Sequence, residues 1–300
     1  MSLMPKNRSS TMNDALKQTL DQHRLSRLTR FSPEQIQLLM DASELGTGAL
    51  AFALLPLAEA KAQVPISDFA VGAIAIGGSG HWYLGANVEF VGVPLHQSVH
   101  AEQAAIGHAA LFDEQYIERV VVSASPCGHC RQFMHELNQD DLLLVWPEHH
   151  FMLNELLPHA FGPADLQQTY GLLNHPTANL TASSQSAPEH KPDALTLAAW
   201  DHACASYAPY SHNRAGVALL LNDGQICPGR YLENAAFNPS LGPLHLALSQ
   251  LYLQSYTTAD IKRAVLVEAR AEAQQAAHAA LLLGQLCAVP LETLVLAREE

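Results

Sequence analysis

The chain has 300 residues, 48% of them hydrophobic, 15% charged and 7% aromatic, enough to bury a sizeable core and too apolar for a disordered chain. Sixteen basic against twenty-nine acidic residues give a net charge of −13, a field that repels polynucleotide phosphates, and no local basic stripe opposes it. A small, uncharged substrate suits that balance better. The length points to two domains of ordinary size. The five cysteines, an odd number, form no disulfide framework, which points to a reducing compartment and a cytoplasmic location. No apolar run reaches bilayer length, since the best, "GALAFALLPLAEA" (48–60), is interrupted by Pro56 and Glu59.

The opening "MSLM" reads as an added leader before a start at Met4 and is left out of the fold reading, and nothing there resembles a signal peptide. Residues 12–48 read as helical: Ser32 is a candidate N-cap, Pro33 occupies the first helical position and Gln35 completes a capping box. "DFAVGAIAIGG" (68–78) and "HWYLGANVEF" (81–90) read as two strands joined by a glycine-rich turn. A helix follows from His100 to Leu111, then a buried strand "IERVVVSAS" (117–125), then a helix "CGHCRQFMHEL" (127–137). Strands alternating with helices indicate an α/β layer fold. Residues 177–193 form a polar linker without periodicity, and a second α/β segment runs from about 193 to the end.

That second segment reads as a copy of the first. Without a gap, a slide of 144 residues places Pro65 on Pro209, Ser67 on Ser211, Gly72 on Gly216, Gly80 on Gly224, Gly85 on Gly229 and Glu89 on Glu233. Ile117, Arg119 and Val121 land on Ile261, Arg263 and Val265. The turn glycines stay in register, which counts for more than the number of identities; two generic α/β halves of shared composition are the alternative. The same slide puts Leu244, Leu246, Ala271 and Gln274 under His100, Glu102, Cys127 and Cys130, so only the first copy keeps chemically useful groups.

Two cysteines at i, i+3 on a helix start present both sulfurs on one face, where free N–H groups and the helix dipole favour the thiolate. Alone, Cys127 and Cys130 suit a redox dithiol or half a structural zinc site equally well. His100 adds a third ligand, and no other cysteine lies near in sequence to add a fourth. Three protein ligands with an open position is how catalytic zinc is held, with bound water at a pKa of roughly 7. Glu102, two residues after His100 and so about 200° around the helix, is placed to take a proton from that water and pass it to a substrate nitrogen. The pattern H-x-E…P-C-x-x-C is an already described signature of zinc deaminases, so this is a match to a known example rather than a deduction. Among the remaining histidines, His108, His129, His135, His149 and His150 read as packing or surface residues; Cys204, Cys227 and Cys287 read as inert buried thiols.

From about residue 48 onward, "GANVEF", "VHAEQAAI", "SPCGHCRQFMHELN", "HAFGPADL" and "ENAAFNPSLGP" resemble the cytidine deaminases of the two-domain, homodimeric bacterial type. The resemblance implies an α/β fold: a three-layer α/β/α sandwich with a mixed five-stranded sheet, duplicated within the chain as an active and a degenerate copy. The expected parts are an N-terminal helical segment (1–48), a catalytic domain (49–160), a linker (161–192) and a non-catalytic domain (193–300). The implied activity is hydrolysis of cytidine and deoxycytidine to uridine and deoxyuridine with loss of ammonia, in pyrimidine salvage. Zinc, one ion per chain, would be held by His100, Cys127 and Cys130, with hydroxide adding at C4 and Glu102 moving the protons. By the same resemblance Asn87 and Glu89 would bind ribose hydroxyls, a role that a carboxylate suits and that would disfavour a phosphate. Phe69 and Phe161 would stack on the base, the latter in its own subunit or in a partner; both also fit as plain core residues. Backbone amides of Ala101 and Cys127 would complete base recognition, in a homodimer whose sites are finished across the interface. Ser125 and His135 depart from the family pattern without touching a motif position. Two rivals share the zinc motif: a deaminase acting on polynucleotides, disfavoured by charge, and a zinc-stabilised interaction protein in which Glu102 does no chemistry.

Overall fold

The computed structural model describes residues 12–181 and 191–297; the opening "MSLM", read above as an added leader, and most of the polar linker lie outside the described residues. Three helices open the chain: α1 (Asp14–Gln22), α2 (Pro33–Ser43) and α3 (Thr47–Glu59), with the short strand β1 (Arg30–Phe31) before α2. The expected cap is present: Gln35 N donates to Ser32 Oγ, and Ser32 N donates to Gln35 Oε1 at 2.9 Å. Next come β2 (Gly72–Gly77), β3 (Trp82–Ala86), α4 (Ala101–Leu111), β4 (Ile117–Val122) and α5 (Gly128–His135). The hairpin β5 (Leu143–Trp146) and β6 (His149–Met152) with α6 (Leu153–Leu156) ends the first half. The second half runs α7 (Ala194–Cys204), β7 (Ala215–Leu221), β8 (Ile226–Arg230), α8 (Pro243–Leu253), β9 (Ile261–Ala269), α9 (Ala276–Leu286) and β10 (Leu291–Leu296).

Each half is an α/β unit built on a mixed sheet, and the three strands expected in the first half are found as β2, β3 and β4. The strand order is β1-β3-β2-β4-β5-β6 in the first sheet and β10-β9-β7-β8 in the second. Among the described strand pairs only β4–β5 and β9–β10 are parallel. The sheets therefore have six and four strands among the described residues, where five each were expected. The first gains a strand because Arg30 and Phe31 pair antiparallel with Tyr83 and Trp82, which pins the helical N-terminus to the sheet edge. The second has no described strand after β10 to match the β5–β6 hairpin.

Helix α2 and α3 would pass as an apolar pair by composition, but no single helix among the described residues is long and apolar enough to cross a membrane. Their apolar faces are spent on the core: Leu39, Leu50, Leu54 and Ala58 are buried against Ile74, Trp82 and Leu84. The expected linker is not wholly free of structure either. Leu180 is buried beside α7, and Trp200 Nε1 donates to its carbonyl at 3.1 Å.

Helix α4 has almost no polar face. Residues 101–110 are all buried, because one side covers β2 and β3 while the other meets α8 of the second half. That double burial explains a helix rich in alanine, five of its eleven residues: small residues let two layers approach it. Its closest approach is at Gly85, where a Cβ would stand 2.2 Å from Ala105 N and 2.5 Å from Ala101 O. The repeat keeps the device, since a Cβ at Gly229 would stand 2.1 Å from Pro243 O. Gly85→Ala is expected to destabilise the chain by about 1–3 kcal/mol by forcing α4 off the sheet. Gly284→Ala in α9, with nothing within 4 Å of the new methyl, should instead be neutral or stabilising by up to about 1 kcal/mol. Urea or thermal melts of both variants check the contrast, and equal midpoints would contradict the packing described.

The structure supports the repeat and corrects its register. Strands β3 and β8 keep the 144-residue spacing, and the Val88–Val99 bridge recurs as Leu232–Leu241. Between them the second half is two residues shorter, so His100, the N-cap of α4, corresponds to Gly242, the N-cap of α8. Glu102 therefore corresponds to Leu244, not Leu246. The N-cap of α5 is Cys127 and that of α9 is Gln275, which puts His278 at the place of Cys130. The slip is a loop-length difference that an ungapped slide cannot register, and the loss of zinc ligands in the second half survives it.

Candidate active site

The site sits where the first turns of α4 and α5 converge. His100 ends an extended segment (φ −87°, ψ 155°) and caps α4, and its backbone N–H donates to Gln103 Oε1 at 3.2 Å. Cys127 caps α5 after strand β4, and Cys130 is one turn further on, wholly buried. Two segments 27 residues apart in sequence thus meet in space: Cys127 Sγ lies 3.4 Å from His100 Nδ1. Cys130 Sγ lies 3.2 Å from the same nitrogen, and the two sulfurs are 3.6 Å apart.

These distances test the expected metal. Zinc–sulfur bonds of about 2.3 Å and zinc–nitrogen bonds of about 2.0–2.1 Å, arranged tetrahedrally, separate neighbouring donors by roughly 3.5–3.8 Å. The three donors stand close to that spacing and form the single His/Cys/Asp/Glu cluster of metal-binding geometry among the described residues. No fourth side chain belongs to it. The residues present fit one zinc ion with an open position.

Electrostatics agree. Contact with Cys130 holds the Cys127 thiol down at about 3 against burial, with His100 helping. Cys130 is pushed up by its contact with Cys127 and by burial. One thiolate is therefore already favoured, and a cation replaces the remaining proton. Glu102 is 4% exposed, and burial raises its carboxyl above the ordinary range. A carboxyl so raised is suited to proton transfer near neutrality.

A cavity of about 450 Å³ opens in front of these groups, and Phe69, Asn87, Glu89, His100, Ala101, Glu102 and Cys127 all line it. Glu89 also closes a local loop, in which its Oε2 accepts from Ile66 N at 2.8 Å and Ser67 N at 3.1 Å, and the Ser67 hydroxyl bonds Oε1. Desolvation, the largest single cause, pushes its carboxyl up, but the three donors together outweigh it and the net shift is down, so Glu89 stands ionised. Glu233 closes the equivalent loop through Tyr210 N at 2.8 Å and Ser211 N at 3.1 Å. Asn87 Oδ1 accepts from Val71 N and its Nδ2 donates to Phe69 O, which fixes the loop bearing Phe69.

Phe161 is not brought to this cavity. It lies after α6, 48% exposed, with its carbonyl accepting from Gln132 Nε2 at 2.7 Å. Ser67, Ser98 and Ser125 do line the cavity. Ser125, set aside as a departure from the family pattern, lies in the loop between β4 and Cys127; its adjacency to the Pro–Cys pair was the available signal. Of the histidines set aside, His108 is buried with Nδ1 against Leu84 O at 2.9 Å, and burial pushes it to about 4. His149 and His150 are exposed on β6. His129 stands nearer the site than expected, its ring 5.3 Å from that of His100. Cys227 is buried, its thiol pushed up to about 12 by desolvation, while Cys204 and Cys287 are half-buried.

The second half holds this corner together. Gln103 Nε2 donates to Pro239 O at 3.0 Å, and Asn234 Nδ2 donates to Gln132 O at 2.9 Å. The wholly buried Glu136 accepts from Ala235 N and Tyr207 OH, each at 2.8 Å, and from Tyr210 OH. One loop, 234–239, thereby ties the ligand-bearing helices α4 and α5 to each other.

Comparison with known proteins agrees with this geometry. Family models for the cytidine and deoxycytidylate deaminase zinc-binding region match residues 49–145 and 153–280. Cytidine deaminases of Salmonella paratyphi A and Salmonella agona are each 49% identical to the chain over 237 residues, 78% of either protein. A crystal structure of cytidine deaminase from Mycobacterium tuberculosis is 31% identical, with a TM-score of 0.37, covering 39% of this chain and 99% of that one. With the zinc-ligand pattern, both family matches and relatives this close, the chain belongs to the zinc-dependent cytidine deaminase family.

Proposed function

We infer that the chain hydrolyses cytidine and deoxycytidine to uridine and deoxyuridine with release of ammonia, a step of pyrimidine salvage. The observation that carries this reading is the donor triad of His100, Cys127 and Cys130 facing the same cavity as a buried carboxyl, Glu102. When bound, zinc supplies Lewis acidity that lowers the pKa of a water toward neutrality. With zinc held by His100, Cys127 and Cys130, Glu102 would take a proton from the attacking water and deliver it to N3 of the pyrimidine as the water oxygen bonds C4. It would then carry the remaining proton of that oxygen to the exocyclic nitrogen, so that the C4–N bond breaks, C4 becomes a carbonyl and ammonia leaves. Burial serves the first transfer, because raising the carboxyl above its ordinary range makes it a stronger base toward the proton of the water.

Asn87 and Glu89 are assigned to the ribose hydroxyls, supported by their place on the cavity wall and by the ionised state of Glu89. Phe69, half-exposed at the rim, is assigned to the face of the base, and the amides of Ala101 and Cys127 to its polar edge. Residues 193–300 are assigned to scaffold, supported by Gly242, Leu244, Gln275 and His278 standing where the first half has His100, Glu102, Cys127 and Cys130. A homodimer with sites finished across its interface is the assembly we assign, with Phe161 available for a partner's site because it is exposed away from its own. Five unpaired cysteines support a reducing, cytoplasmic location.

The test is ultraviolet monitoring of purified protein with cytidine, deoxycytidine, CMP and adenosine in parallel, with and without chelator. Turnover of both cytosine nucleosides, abolished by chelation, is expected. Turnover of CMP equal to that of cytidine would contradict the ribose assignment of Glu89.

A further inference from the structure

A second cavity, about 210 Å³, lies between the two halves. The first half contributes His96, Gln97 and His129 to its wall, and the second contributes His245, Gln275 and His278. Part of it is the metal corner with the metal chemistry removed: Gln275 and His278 stand where the first half has Cys127 and Cys130. Two groups able to carry negative charge have been replaced by an amide and an imidazole. No Asp, Glu, Lys or Arg lies on the wall. Two carboxylates touch it from behind, Glu233 through the Tyr231 hydroxyl and Glu268 through Gln275 N, and both are spent on donors of the second half.

Four imidazoles therefore share one cavity without a counter-ion on its wall. Burial, with repulsion from His278 and His96 added, pushes His245 down to about 3, so it stands neutral. Its Nε2 meets Gln97 Oε1 at 3.0 Å, which leaves the amide nitrogen as the free end of Gln97. Gln97 is 7% exposed, and among the described residues its Nε2 has no hydrogen-bond partner. An unpaired donor in so buried a side chain is unfavourable, and a guest that accepts from it removes the penalty.

The histidines do not converge as metal ligands do. Among the described residues only His100, Cys127 and Cys130 bring their donor atoms together in that way. A wider ring of N–H groups suits an oxyanion, each of whose oxygens accepts from a different donor. The volume is below the usual range for drug-sized ligands, which favours a free ion over a whole nucleotide. The net charge of −13 opposes any anion, but exposed charges beyond about 8 Å are largely screened at physiological salt.

We propose that this cavity binds a phosphate-type oxyanion, held by His96, His129, His278 and the amide of Gln97. The inference does not rest on the catalytic reading, because none of these four residues is assigned to the reaction.

Equilibrium dialysis of the zinc-loaded protein with labelled inorganic phosphate tests it, with saturating uridine present to occupy the catalytic cavity. One phosphate per chain is expected. His96 and His278 are exposed, so replacing them should leave the fold intact. His278→Glu should weaken binding at least about tenfold, whereas His278→Lys should retain it. His96→Ala should weaken it several-fold, and His149→Ala, on the exposed strand β6, should bind as the wild type does. CMP should not displace the ion; displacement would assign the same site to the phosphate of a nucleotide. The proposal is overturned if no phosphate binds at millimolar concentration, or if His278→Glu and His278→Lys bind it alike. Absence of cytidine turnover in the wild-type protein would refute the catalytic reading by itself, whatever the phosphate result.

Discussion

Glu102→Gln is expected to lower kcat for cytidine by at least about 10⁴-fold while leaving one zinc ion per chain. General acid–base catalysis by one side chain is typically worth about 10²–10⁴. Here one carboxyl serves two transfers in series, so the upper end or beyond applies. The substitution is isosteric and leaves His100, Cys127 and Cys130 untouched, which separates chemistry from metal binding. Stability supplies a second readout. Burial raises the folded-state pKa of Glu102 above its unfolded value, so the ionised form opposes folding at pH above the ordinary carboxylate range. Removing the charge should make the variant no less stable than the wild type at about pH 7, with the advantage fading as pH falls toward about 4, the ordinary carboxylate pKa. Steady-state kinetics, metal analysis and thermal melts against pH check the three parts. Undiminished turnover would remove Glu102 from the proton transfers, and absence of turnover in the wild type as well as the variant would leave the interaction-protein reading standing.

Cys130→Ala is expected to abolish both zinc retention and turnover with little change in fold. Cys130 is wholly buried in the core, but the substitution removes only a sulfur, and Phe133 and Met134 remain packed around it. Two donors, His100 and Cys127, do not close a cage. The wild-type chain should lose thermal stability on chelation, since a ligand present at about 1,000 times its Kd adds roughly 4 kcal/mol to the folded state. The variant's melting temperature should not respond to zinc at all. Cys227→Ala is the control: it lies in the second-half strand β8, buried and away from the metal corner, and should bind zinc as the wild type does. Zinc bound equally by Cys130→Ala would mean that the ion is held elsewhere.

By itself the sequence determined what is local. The cap at Ser32, the turn glycines of both halves, the positions of α4 and α5 and the His100, Glu102, Cys127 and Cys130 set are all carried by spacings of a few residues. Caps, turns and helix faces are short-range physics, so a short window suffices. The likeness of the two halves was also legible, because glycines such as Gly85 and Gly229 answer a backbone approach that no side chain can replace.

Tertiary structure decided the rest. Strand β1 is two residues long and exists only because β3 offers it an edge. The two-residue shortening before α8 is a loop property with no periodic signal. Gln103 reaches Pro239 across 136 residues, and Glu136 reaches Ala235 across 99. Such bonds depend on how the layers stack, and no local pattern announces them. For the same reason Phe161, named beside Phe69 by its motif, ended up outside the cavity that Phe69 lines. A motif fixes which group a residue offers; the packing of one half on the other fixes where it is offered.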